Sequence, residues 1–162
     1  HVLSRRQRQM CIRDSNNPSQ ESIQFVRKNL FNNNILVPRI NILIKDQINN
    51  IEEIYSVLKN KYKNPWIIFD KNDYNIIKTI QLFSQANLVI GVTGNELANI
   101  LFCSDKTKVI ELKNNNNLCY WHLCNIIKIE HTIIPFTSDI NIEQLDYTID
   151  KVLNTVFSLD NI

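Results

Sequence analysis

The chain has 162 residues, 44% of them hydrophobic and 21% charged, with a formal net charge of +2. That is the profile of one globular domain with a real core, and so weak a net charge gives no reason to expect DNA, RNA or an acidic partner. No apolar run approaches the ~20 residues of a membrane span, and Cys11, Cys103, Cys119 and Cys124 show neither Cys-x-x-Cys nor a His at ligand spacing, which argues against zinc.

In chain order, residues 4–15 read SRRQRQMCIRDS, with four arginines in nine residues and a composition unlike the Asn/Ile/Lys-rich remainder. The segment resembles the read-through translation of a sequencing adapter, so residues 1–15 are expected to be foreign to the natural protein; the alternative is a basic N-terminal arm. After Pro18, SQESIQFVRKNLF places Ile23, Val26, Leu30 and Phe31 at helical spacing behind a capping signature. The short β-branched run INILIK (Ile40–Lys45) predicts a strand, and NIEEIYSVLKNKY repeats Ile51, Ile54, Tyr55, Leu58 and Tyr62 on one helical face. Strand and helix then alternate: PWIIFD, YNIIKTIQLFSQA, NLVIGV, NELANILFC, KVIEL, LCYWHLCNII, IEHTII, and a closing amphipathic helix from Ile142 to Phe157. Apolar strands with little polar alternation suit strands covered on both faces. Their alternation with helices predicts an α/β fold built on a doubly wound, mostly parallel sheet.

In such a sheet ligands bind outside the carboxyl ends of the strands, at the switch point. One of those ends carries NLVIGVTGNELANILF, which contains both glycines of the chain, Gly91 and Gly94. Average usage would give a chain of this length about 11, so glycine is expected here where positive φ or close backbone approach requires it. The stretch reads as strand, tight turn and helix, but is neither a Walker loop nor a Gly-x-Gly-x-x-Gly fingerprint. Amides at the start of the helix would suit an anion. Alternatively, Thr93-x-x-Glu96 forms a capping box that satisfies those amides itself.

From Gln81 to Leu112 the sequence QLFSQANLVIGVTGNELANILFCSDKTKVIEL resembles the central block of glycosyltransferase family 61. Phe83, Ala86, Gly91, Gly94, Leu97, Asn99, Phe102 and the run Val109–Leu112 match its pattern. Weaker similarity extends from Pro38 to Val156. The chain departs from the family at Thr93, where the pattern has His, at Asn95 and Glu96, where it has small residues, and at Lys45, where it has Arg. Lysine keeps the charge but lacks the bidentate fork.

The resemblance implies the donor-binding, Rossmann-like half of a GT-B enzyme. Residues 38–162 would form that half, and 16–37 a helix and linker from an upstream region. It implies inverting, metal-independent transfer of a sugar from a nucleotide-sugar donor to a hydroxyl of a glycan or protein, with no cofactor, and a second half that this fragment lacks. The setting would be the secretory lumen in a eukaryote or the cytoplasm in a bacterium. The donor-binding residues implied are Lys45, Gly91, Thr93, Gly94, Asn95 and Glu111: Lys45 would neutralise phosphate, Thr93 and Asn95 would donate to it, and Glu111 would accept from ribose hydroxyls. The plainer alternatives are a solvated Lys45, a capping Thr93 and a surface Glu111. His122 and His131 are candidate bases or packing residues, and no catalytic base is assigned. A catalytically inactive module with a structural or interaction role is the competing reading.

Overall fold

A computed structural model describes residues 20–30 and 39–154. The expectations for residues 1–15, for the linker up to residue 37 and for the end of the last helix lie outside the described residues. The elements are α1 (Gln20–Leu30), β1 (Ile40–Ile44), α2 (Ile51–Lys61), β2 (Trp66–Phe69), α3 (Ile76–Ser84), β3 (Ala86–Val92), a 3₁₀ helix (Asn95–Phe102), β4 (Lys108–Lys113), α4 (Cys119–Ile127), β5 (Glu130–Pro135) and α5 (Ile142–Asn154).

The five strands form one sheet in the order β2-β1-β3-β4-β5, and every neighbouring pair is parallel. The predicted doubly wound sheet is therefore present. Side chains alternate across it with period two. Ile42, Ile44, Val89 and Val109 point into one core layer with Phe83, Leu97, Ile100 and Leu123. Leu43, Leu88, Ile90, Ile110 and Leu112 point into the other with Ile54, Leu58, Leu145 and Ile149. Thus α1, α3, the 3₁₀ helix and α4 cover one face, and α2 and α5 cover the other. Buried on both sides, β1 has no exposed residue, which is why its sequence shows no polar alternation.

Local chemistry sets the ends. Asn75 caps α3, its side chain accepting from the Lys78 amide at 2.9 Å, and α4 closes on Lys128 in the left-handed region at φ 58°. Helix α1 joins the same core: Ile23 is buried, and Arg27 donates to the Leu101 carbonyl at 3.0 Å and to that of Cys103. Periodicity predicted a helix after the glycine turn, and one is present. The segment is 3₁₀, and the Leu97 amide bonds the Gly94 carbonyl at 3.1 Å, three residues back.

Candidate functional site

With strand order 2-1-3-4-5, the switch point lies between β1 and β3, where successive connections leave in opposite directions. The carboxyl ends of these strands carry Lys45–Gln47 and Thr93–Glu96, so the topology brings together the two segments singled out in the sequence. A cleft of about 250 Å³ opens there, lined by Lys45, Asp46, Gln47, Asp70, Lys71 and Glu96 among others. Gln47 holds φ 64°, a sparsely populated conformation for a non-glycine residue that clusters at ligand sites.

Neither glycine has positive φ, which corrects one of the two reasons expected for them. Gly91 answers to the other. A Cβ there would lie 2.8 Å from Ile44 Cδ1 and 3.2 Å from Leu97 Cδ1, so the missing side chain lets the 3₁₀ helix seat against β1 and β3. Gly94 is extended at φ −178°, a conformation open to any residue. Its nearest obstacle is the end of the Gln47 side chain, 3.0 Å from a built Cβ.

The capping box does not form. Gly94 is the residue at the cap position, and no side chain bonds the first amides. Thr93 lies on the face of β3 that points toward the 3₁₀ helix, and its hydroxyl donates to Glu111 Oε1 at 2.6 Å. Glu96 pairs with Lys71 at 3.0 Å. By helix geometry the Asn95 and Glu96 amides have no acceptor within the helix, and Asn95 is exposed.

Glu111 is fully buried rather than superficial. It sits opposite Gly91 in the β3–β4 register, and its second oxygen bonds His131 Nε2 at 2.8 Å. Burial alone would raise the Glu111 carboxyl, but hydrogen bonds from His131 and Thr93 and the charge of Lys113 outweigh it and hold the pKa below its ordinary value. Its carboxylate is therefore turned toward protein groups under the turn and away from the cleft. His131 belongs to this buried cluster, whereas His122 stacks edge-on against Trp121, with ring centroids 4.9 Å apart.

Lys45 lines the cleft and pairs with Asp70 at 3.1 Å. The Asp70 carboxyl is held below its ordinary value by the Asn72 amide and by Lys45. Sequence reasoning missed Asp70 and Lys71, which stand at the end of β2 next to β1. The signal was the run FDK closing a strand that the switch-point rule places beside the site. It also missed Tyr120, whose hydroxyl donates to the Gly94 carbonyl. Beyond β4 and β5 the same end of the sheet holds a larger cleft of about 550 Å³, and Asn114 bridges toward the first by donating to Gln47 Oε1 at 3.2 Å.

A parallel sheet of this order, with an open cleft at its switch point, defines a Rossmann-like α/β domain. The chain belongs to glycosyltransferase family 61: the family model described as Glycosyltransferase 61 matches residues 6–110, more than half of its length and most of the glycine-turn block. Membership implies a sugar donor and an acceptor as substrates. No curated protein matches the sequence. Among solved structures, a CpaE2 pilus assembly protein from Sinorhizobium meliloti is similar at 13% identity and a TM-score of 0.43, over 70% of this chain and 99% of that one. Among the described residues, no helix is long and apolar enough to cross a membrane.

Proposed function

We infer that this domain is the donor-binding half of a two-domain GT-B glycosyltransferase and that the switch-point cleft takes the diphosphate of a nucleotide sugar. The observation that carries the reading is the convergence of Lys45, from the end of β1, and the uncapped first turn of the 3₁₀ helix, from the end of β3, on one opening. Unpaired amides at a helix start and a nearby cation are the groups that stabilise an anionic leaving group. The larger cleft beyond β4 offers room for the rest of the donor.

In the transfer, the acceptor hydroxyl oxygen attacks the anomeric carbon from the side opposite the leaving group. The bond from that carbon to the diphosphate oxygen breaks, and the configuration inverts. The acceptor proton passes to a base contributed from outside this domain. Lys45 and the helix amides take the growing charge on the diphosphate without a divalent ion.

One observation favours an inactive module instead. Asp46, Asp70 and Glu96 outnumber Lys45 and Lys71 around the cleft, and an anion must displace two ion pairs to enter. Amide chemical-shift mapping with uridine diphosphate and guanosine diphosphate separates the two. The donor reading expects shifts concentrated at residues 45–47, 70–72 and 93–96. Shifts absent at millimolar nucleotide leave the inactive module.

A further inference from the structure

We propose that Glu111, His131 and Tyr120 are positioning residues for the glycine turn, holding Thr93 and Gly94 from beneath so that the first amides of the 3₁₀ helix stay beside Asp46 and Gln47. The proposal rests on the donor reading for what the turn binds, but its geometry is independent of any ligand.

Thr93, Glu111 and His131 come from three adjacent strands and occupy the same face of the sheet. The Thr93 amide extends the β3–β4 ladder by donating to the Leu112 carbonyl at 3.0 Å, and its hydroxyl donates to Glu111 Oε1 at 2.6 Å. The other Glu111 oxygen is fixed by His131 at 2.8 Å. One residue on, the Gly94 carbonyl accepts from the Tyr120 hydroxyl and from the Leu97 amide. Both residues that precede the helix are thus tied from below, one through β4 and β5 and the other through α4.

These ties lie against an apolar layer that includes Ile44, Leu97, Ile100 and Leu123, with Lys113 Nζ 3.8 Å from Glu111 Oε1. Burying a carboxylate and an imidazole in such a layer is costly unless each finds its partners. Glu111 and the His131 side chain are 1% and 5% exposed, and each has a bonded partner in the other. A network of this kind tolerates one arrangement and penalises partial loss. It therefore sets where the turn stands, whereas an apolar filling would fix only that the layer is packed. Gly91, opposite Glu111 in the register, has no side chain, and the space beside it is filled by Ile44 and Leu97.

The test uses the full chain and three substitutions, Thr93→Val, Thr93→Ser and Tyr120→Phe, read by amide hydrogen exchange and by titration with uridine diphosphate. Thr93→Val and Tyr120→Phe are expected to speed exchange of the Thr93 and Leu97 amides about fivefold, the effect of losing one hydrogen bond, with the Ile42 and Leu43 amides in the sheet centre unchanged. Thr93→Ser keeps the hydroxyl and should restore protection. Diphosphate affinity should fall by a similar factor in the first two variants and recover in the third. Exchange at Thr93 and Leu97 that rises no more than at Ile42 and Leu43 overturns the proposal, as does unchanged affinity in Thr93→Val and Tyr120→Phe. Failure of the unsubstituted protein to bind any nucleoside diphosphate overturns the donor reading instead, and the exchange arm still decides whether these residues hold the turn.

Discussion

A Cβ added to Gly91 would stand 2.8 Å from Ile44 Cδ1, inside contact distance, and 3.2 Å from Ile44 Cβ. Ile44 is itself buried, so it has little room to withdraw. The crowding, rather than the turn, makes this glycine necessary. Gly91→Ala is expected to lower stability by about 1–3 kcal/mol, the usual penalty for overpacking. Gly94→Ala meets only the movable end of Gln47 and should change it by less than ~1 kcal/mol. Denaturant midpoints for the two variants check this, and a larger loss at Gly94 would contradict it.

The Glu111 carboxyl has a folded pKa below its ordinary 4.5. A depressed carboxyl contributes stability that is fully present above its unfolded pKa and lost as pH falls through the folded one. Glu111→Gln should therefore be less stable than the parent near pH 6, with the difference shrinking as pH drops below about 4.5. Melting curves between about pH 3 and 6 measure it. A difference that stays constant with pH would show that the carboxylate charge plays no part.

Much of this fold was legible because the strands are apolar on both faces, as in INILI and NLVIGV, and because the helices repeat apolar residues every three or four positions. That pattern does not distinguish an α-helix from a 3₁₀ helix, so it showed NELANILF to be helical without giving the type. Thr93 was read along the chain, where Glu96 three residues later suggested a cap. Its actual partner, Glu111, is 18 positions away and visible only through the pairing of β3 with β4. A clue was present: a single carboxylate in KVIEL, a strand otherwise buried on both faces, needs a polar partner on its own face. The ion pairs of Lys71 and Lys45 depend on how three loops meet, which no local pattern records.

Three cysteines among the described residues are free. Burial pushes the Cys124 thiol up to about 12 and raises Cys103 further still, so neither forms appreciable thiolate near neutral pH. An aromatic disulfide reagent at pH 8 is expected to leave both unmodified in the native protein and to label them on unfolding. Rapid native labelling at Cys103, located by peptide mapping, would contradict the packing of α1 and the 3₁₀ helix over it.

At the opposite end of the sheet, Tyr62 bridges α2 to α5, its one hydroxyl proton shared between Asp146 at 2.8 Å and Asp150 at 2.9 Å. Burial, followed by the two carboxylates, raises the phenol well above its usual range. Tyr62→Phe keeps the ring against Trp66, whose centroid is 6.2 Å away, and removes only the hydroxyl. It should cost about 1 kcal/mol by chemical denaturation and leave nucleotide binding unaffected. An unchanged midpoint would mean that Lys61, which salt-bridges both aspartates, suffices alone.

Calorimetric titration of the full chain with uridine and guanosine diphosphates decides whether the switch-point cleft binds the diphosphate of a sugar donor. Lys71 is engaged by Glu96 and Lys45 by Asp70, so removing one competing carboxylate should favour the anion and removing a cation should oppose it. Glu96→Gln is expected to tighten binding and Lys45→Ala to weaken it, each by about 1 kcal/mol or roughly fivefold. Measurable binding is expected, moving in these two opposite directions. No binding at millimolar nucleotide, with none restored by Glu96→Gln, would rule out a donor site here.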